Sequence, residues 1–269
     1  MKNYSCTITG SQPTRTRHSK FFLRAGLLIP ALLLLAGGAA RAQLLLVDVD
    51  FKHAGASIPA QTGAAVIGSA GDSWNAVNVD NSGTSGSASN LLSVAGNTTS
   101  IGTSFTYTSG GFNDSNGTTM DAATTPLMED YFYSYVNQGT GAAPTLTFTG
   151  LSAYTGDPYE IVLYASGDSA GQGGTYTLTE NAVTGLTLST TATNRMISGG
   201  VGDAYQVFTG TILGGDITLT GAYANSSQFA PINGFQLEVV PEPSTWVMVL
   251  SGLGALAFVH LRRRSLMQA

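Results

Sequence analysis

The residues that could do chemistry are few, and their spacing argues against most of it. Between Gln43 and Val240 there is one histidine, His53, because His18 and His260 lie outside that stretch. A Ser-His-Asp triad would have to recruit His53 with Ser57 and Asp50, yet no strand-turn-helix Gly-x-Ser-x-Gly elbow accompanies them. His53 is therefore expected to be a solvated loop residue. One histidine and no cysteine cannot furnish the three or four ligands of a zinc site. Oxygen ligands for a harder cation exist around the turn Asp114-Ser115-Asn116-Gly117-Thr118-Thr119-Met120-Asp121. That stretch lacks the twelfth-position Glu of an EF-hand, so an Asn-Gly turn without metal is expected.

Paired carboxylates are the other route to catalysis, since glycoside hydrolysis needs an acid and a second carboxylate on either side of the scissile bond. The nearest pairs are Asp48 with Asp50 and Glu129 with Asp130. Adjacent residues on a helix do not face each other, which weighs against Glu129 and Asp130. Asp48 and Asp50 share one face of a strand and could repel, bind calcium or stand in solvent. Exposure is the expectation, because like charges on one face favour water. No catalytic residue, resident metal or cofactor is assigned, and the chain is expected not to be an enzyme. Aromatic side chains offer a different possibility, carbohydrate stacking, through Trp74, Tyr107, Tyr131, Tyr133, Tyr135 and Tyr154. Trp74, between polar Ser73 and Asn75, reads instead as an inward strand position.

The elements that would position these residues are strands. From residue 43 to 239 the chain is dense in Gly, Thr, Ser and Asn, and apolar residues recur at every second position in short runs. Such runs occupy residues 44–51, 104–107, 145–148, 160–165, 175–178, 204–208, 216–220 and 232–239. Eight or more short strands between Gly- and Asp-containing turns predict an all-β antiparallel sandwich, a jelly-roll or a related fold. Residues 126–133 are the exception: Pro126 at a first-turn position with Glu129 and Asp130 near it predicts a short helix. Residues 80–90, rich in Gly and Ser, predict a mobile loop.

Charge separates this middle from the ends. Residues 43–240 hold fifteen Asp and Glu against Lys52 and Arg195 alone, a formal charge of −13 within a whole chain of −5. Such a surface repels phosphate backbones, so nucleic acid is excluded as a partner. The lone cysteine, Cys6, leaves no disulfide framework.

Both ends read as addresses. Arg15, Arg17, Lys20 and Arg24 precede an apolar run over residues 25–36, and a small-x-small pattern ends at Ala42. Residues 1–42 are thus expected to be a secretory signal peptide cut between Ala42 and Gln43. Its apolar run is too short for a bilayer that requires about twenty residues. At the other end Pro241-Glu242-Pro243 precedes an apolar stretch over residues 245–261 and then Arg262, Arg263 and Arg264. Two prolines one residue apart hold an extended, protease-accessible segment. The apolar stretch reaches the lower limit for a membrane helix, and the arginines hold its far end on the cytoplasmic side.

This tripartite tail, residues 240–269, closely resembles the PEP-CTERM sorting signal of Gram-negative bacteria. The resemblance implies recognition and cleavage by exosortase, a membrane transpeptidase, in cells that also make extracellular polysaccharide. Landmarks in the middle are similar in order to a domain often found ahead of that signal in planctomycete and verrucomicrobial proteins, and this resemblance implies a galactose-binding-like sandwich. They are Val49-Asp50-Phe51, Gly71-Asp72-Ser73-Trp74-Asn75, Leu127-Met128-Glu129-Asp130-Tyr131, Phe148-Thr149-Gly150-Leu151 and Asn233-Gly234-Phe235-Gln236. The functional expectation is a non-catalytic exported envelope or matrix protein, first inserted in the inner membrane by its tail and then associated with extracellular polysaccharide. The alternative is a carbohydrate-binding module, with or without calcium.

Overall fold

Alternation of Val47, Val49 and Phe51 with Leu46, Asp48, Asp50 and Lys52 gives the first strand two faces, and both are buried. A half-exposed sheet would bury only one, so this strand is covered on both sides. The computed structural model describes residues 44–54, 59–80, 83–113, 125–135, 142–167, 169–194, 196–223 and 229–240, with Gly254 and His260. Residues from Ala42 to Glu242 form one compact unit.

Fourteen strands are described. A five-stranded sheet runs β11 (Tyr205–Thr211), β8 (Pro158–Tyr164), β14 (Gly234–Val239), β1 (Leu45–His53) and β2 (Asn75–Val79). A six-stranded sheet runs β10 (Val183–Ser189), β9 (Gly174–Glu180), β12 (Ile217–Tyr223), β7 (Thr145–Thr149), β4 (Gly102–Thr106) and β3 (Ser85–Ala88). A third, three-stranded sheet joins β13 (Phe229–Ile232), β6 (Asp130–Tyr135) and β5 (Ser109–Asn113). All pairings between these strands are antiparallel except β1 with β2. The fold is therefore an antiparallel β-sandwich.

The inner faces of the two larger sheets share one core. Phe235 of β14 meets Phe148 of β7 edge to face, with ring centres 4.7 Å apart. Phe51 meets Phe105 of β4 at 5.0 Å and Phe132 of β6 at 4.9 Å, so the three-stranded sheet plugs into the same core. Such edge-on pairs add to the area they bury.

The abundance of threonine has a simple reason on the outer face of the six-stranded sheet. One register line crosses all six strands through Ser85, Thr106, Thr145, Thr220, Thr177 and Thr187. Neighbouring hydroxyls bond along the lines, Thr106 to Thr145 at 2.7 Å and Thr177 to Thr187 at 3.0 Å. A β-branched residue with a hydroxyl suits a pleated surface with water on one side.

Two local expectations are corrected. The helix over residues 126–133 is one turn, α1 (Thr125–Glu129), and from Asp130 the chain becomes β6. The aromatic series Tyr131, Phe132, Tyr133 suits a strand paired on both sides better than a helix. Within the loop predicted at residues 80–90, Ser85–Ala88 forms edge strand β3, which adds to β4 through backbone pairing rather than side-chain burial.

Among the described residues no helix is long and apolar enough to cross a membrane. The expected signal peptide (1–42), its cut between Ala42 and Gln43, the motif Pro241, Glu242 and Pro243, and Arg262, Arg263 and Arg264 lie outside the described residues. So does the expected tail helix, 245–261, apart from Gly254 and His260.

Candidate functional site

The second face of β1 is where the polar chemistry collects. Asp48, Asp50 and Lys52 point away from the sandwich core, into a layer laid over the five-stranded sheet. That layer includes Ala65, Val66, Ile67 and Trp74 from the segment before β2, Leu127 and Met128 of α1, and Ile197. It packs on Val162 and Tyr164 of β8 and on Tyr205 and Val207 of β11. Gly234 makes room for it, because a side chain there would run into Val49 O and the Leu127 side chain.

The covering layer is tied down by side chains from the sheet. Gln236 Oε1 accepts hydrogen bonds from Val66 N at 3.2 Å, Ile67 N at 3.1 Å and Tyr164 Oη at 2.6 Å, and its Nε2 donates to Ile67 O at 2.9 Å. Trp74 Nε1 donates to Gly63 O at 2.8 Å. Asp50 Oδ2 accepts from Gln61 N at 2.8 Å.

Asn233, between β13 and β14, fixes α1 and β6. Its Oδ1 accepts from Ser166 N at 2.7 Å, and its Nδ2 donates to Met128 O at 3.2 Å and Asp130 O at 3.1 Å. Asn233 has no exposed surface, so Asn233→Ala strands buried backbone groups. A loss of about 2 kcal/mol is expected, measured as a lowered urea midpoint at unchanged slope.

Three carboxylates and one ammonium share this layer. Lys52 Nζ lies 2.6 Å from Asp130 Oδ2 and 4.0 Å from Asp50 Oδ2, and donates to Pro126 O at 3.3 Å. Asp48, Asp50 and Asp130 are each 0% exposed. Asp48 has no well-formed hydrogen bond to either carboxylate oxygen. Burial pushes its pKa up to about 7, with Gln236 pulling it down and the charge of Asp72 adding to the rise. Burial likewise raises Asp50 to about 7, against the pull of Lys52 and the Gln61 amide and with a further push from Asp130.

The expectation that Asp48 and Asp50 stand in solvent is thereby overturned. The two carboxyls are accommodated by enclosure, which raises both pKa values, and by Lys52 4.0 Å from Asp50 Oδ2, rather than by water. A signal for this was available: Asp48, Asp50 and Lys52 occupy alternate positions of one strand, and Lys52 is one of only two cations between Gln43 and Val240. Asp130 stands out in the sequence only as the neighbour of Glu129, and Asn233 and Gln236 only as landmarks of a resemblance; nothing in the sequence links them to β1, because only the fold brings them there.

The other candidates are dispersed. Asp50 and His53 are three residues apart on β1 and so face opposite ways, which breaks the triad; Ser57 lies outside the described residues. Glu129 ends α1 and Asp130 begins β6. The candidate calcium turn, 114–121, lies outside the described residues. Among the described residues no group of three or more His, Cys, Asp or Glu is placed to hold a metal.

The aromatic residues do not form one platform. Tyr107 is in the core, donating from Oη to Asp80 O at 2.7 Å. Tyr131 is buried and meets Tyr133 at a tilt, with ring centres 5.6 Å apart, and Tyr133 meets Phe229 at 5.2 Å. Trp74 precedes β2 and packs in the outer layer against Tyr164 at 6.3 Å, which corrects its assignment to an inward strand position. Tyr154 lines a pocket of about 250 Å³ with Leu44, Leu46, Val94 and Thr98. The side chain of Tyr135 is outside the described set.

No curated protein matches the chain in sequence. Among solved structures, the chain is similar to the ANXUR1 extracellular domain from Arabidopsis thaliana at 11% identity and TM-score 0.38, covering 73% of this chain and 48% of that one. It is also similar to a family 35 carbohydrate binding module from Clostridium thermocellum, at 11% identity and TM-score 0.24, over 38% of this chain and 75% of the module. A third is an exo-β-1,3-galactanase from Phanerochaete chrysosporium, at 14% identity and TM-score 0.25, over 40% of this chain and 23% of the enzyme. The chain covers between 39% and 49% of the first three structures it matches. The tail is more specific: residues 239–264 match the PEP-CTERM protein-sorting motif, which marks an exported protein passed to exosortase, a membrane protein, and anchored only transiently in the membrane.

Proposed function

We propose that the protein is a non-catalytic component of the cell envelope or extracellular matrix. In this reading the signal peptide, 1–42, exports it and the helix 245–261 holds it in the inner membrane with Arg262, Arg263 and Arg264 on the cytoplasmic side. Exosortase then cuts near Pro241, Glu242 and Pro243, leaving the acidic sandwich, 43–239, among extracellular polysaccharide.

The observation that carries this reading is the junction between domain and tail. The sorting motif begins at residue 239, the last residue of β14. Val239 is fully buried, and Val240 N still donates to Pro158 O at 3.0 Å. A folded domain that stops where its sorting motif starts is organised as a cargo with its address attached. The non-catalytic part draws support from Asp48, Asp50 and Asp130, whose carboxylates are enclosed by packing rather than presented to a cleft.

Intact-mass measurement on protein purified from the native envelope and medium tests the reading at both ends. The expected mass runs from Gln43 to a cut near Pro241-Glu242-Pro243. A mass that retains Arg262, Arg263 and Arg264 would make the tail a permanent anchor and sink the proposal.

A further inference from the structure

Four of the large apolar side chains left in solvent lie at one end of the sandwich. Leu44 is 50% exposed, Val183 61%, Leu213 54% and Val240 44%. Isolated exposed leucines need no explanation, but a cluster does.

The strand register shows that they share an end. Val239 pairs with Leu45 on one side and Tyr159 on the other, so Leu44 and Val240 both leave the sheet there. The loop after β11 returns to the same end, where Ile212 N donates to Asp157 O at 3.0 Å. Leu213 N donates to Glu180 Oε1 at 2.6 Å, and Asn181 Nδ2 donates to Leu213 O at 3.2 Å, which brings in the β9–β10 turn and Val183. Val201, also exposed, is bridged to Tyr205 at the start of β11 and so marks the opposite end.

This apolar end is the one from which the tail departs. Four residues, Pro241 to Ser244, separate Val240 from the apolar stretch that starts at Thr245. Fully extended, that link reaches roughly 17 Å, and the headgroup layer takes up about 5 to 8 Å of it. While the tail is uncut, the end bearing Leu44, Leu213 and Val240 cannot move far from the bilayer surface.

We propose that this end is a membrane foot: before cleavage, Leu44, Val183, Leu213 and Val240 rest in the headgroup layer of a lipid bilayer. The described charges nearby are acidic, Asp157, Glu180 and Asp216, so the surface that fits is zwitterionic rather than anionic. The foot holds the cleavage segment at the depth where a membrane enzyme can reach it. This inference rests on residues 245–261 being a membrane helix, and the test separates the two.

The chain from Gln43 to Ala269, without its signal peptide and with its tail uncut, is reconstituted in phosphatidylcholine vesicles that contain no transpeptidase. Single cysteines at Leu213→Cys, Val201→Cys or His260→Cys carry an environment-sensitive fluorophore, and lipids spin-labelled near the headgroup act as quenchers. The expected result is quenching at 260 and at 213, with 213 quenched at least threefold more than 201. Quenching at 260 with 213 no different from 201 would overturn the foot and leave the tail helix standing. No quenching at 260 removes the helix and the foot together. Quenching at 213 that appears only after exosortase is added makes this end a protein-docking face, which also overturns the proposal.

Discussion

Raising the pH from about 4 to about 7 is expected to weaken the folded protein, the reverse of the usual behaviour of a carboxylate-rich domain. Asp48 and Asp50 titrate near 3.8 when unfolded and near 7 when folded. Between those values the folded state holds protons that the unfolded state has released, so stability falls as pH rises. Below about pH 4 both states are protonated and the contribution is fully present; above about pH 7 both are ionised and it is gone. At about 1.4 kcal/mol per unit, a window of roughly three units is worth about 4 kcal/mol for Asp48 alone. Asp48→Asn removes the titrating proton while keeping the shape. Its urea midpoint at pH 8 is expected to exceed that of the unmodified protein by about 2 kcal/mol in free energy, a figure reduced because the new amide needs partners of its own. Its stability should also decline less between pH 4.5 and pH 8. A wild-type midpoint that rises with pH across this range would show that Asp48 and Asp50 ionise in the fold without penalty.

That behaviour was hidden from sequence by the covering layer. Alternation makes β1, β7, β8, β9, β12 and β14 legible, because each has one face in the common core and period-two patterning reports that directly. It also makes a residue pair such as Asp48 and Asp50 look solvent-facing, since a sheet with a single buried face puts its polar positions in water. The centre of the five-stranded sheet, at β1, β8 and β14, is buried on both faces, and the second face is covered by irregular chain from residues 59–74 with the single turn α1. Irregular segments have no period, so nothing local announces that they will lie on β1. Strands β3 and β5 escaped for a related reason: Ser85–Ala88 and Ser109–Asn113 are held by backbone pairing, with glycine and serine where a pattern would need apolar residues. The tail was legible because its logic is linear. Prolines, an apolar run and arginines act in sequence order, with no tertiary partner required.

Lys52→Met is expected to cost about 3 to 5 kcal/mol, the loss typical when one partner of a buried ion pair is removed. Lys52 is 5% exposed and is the ammonium facing Asp130 at 2.6 Å and Asp50 at 4.0 Å. Methionine fills a similar volume, so packing is largely kept and the loss comes from charge. The second variant decides the cause. Asp130→Asn in the Lys52→Met background removes the stranded carboxylate and is expected to recover most of the loss, because replacing both partners of a buried pair is often neutral. Full recovery would assign the cost to Asp130 alone. Partial recovery, restored further at pH 5 where Asp50 regains its proton, would show that Lys52 also holds Asp50 ionised. If the double variant is no more stable than Lys52→Met at either pH, the lysine acts through its bond to Pro126 O and the packing of its stem, and the carboxylates are held by the layer above them.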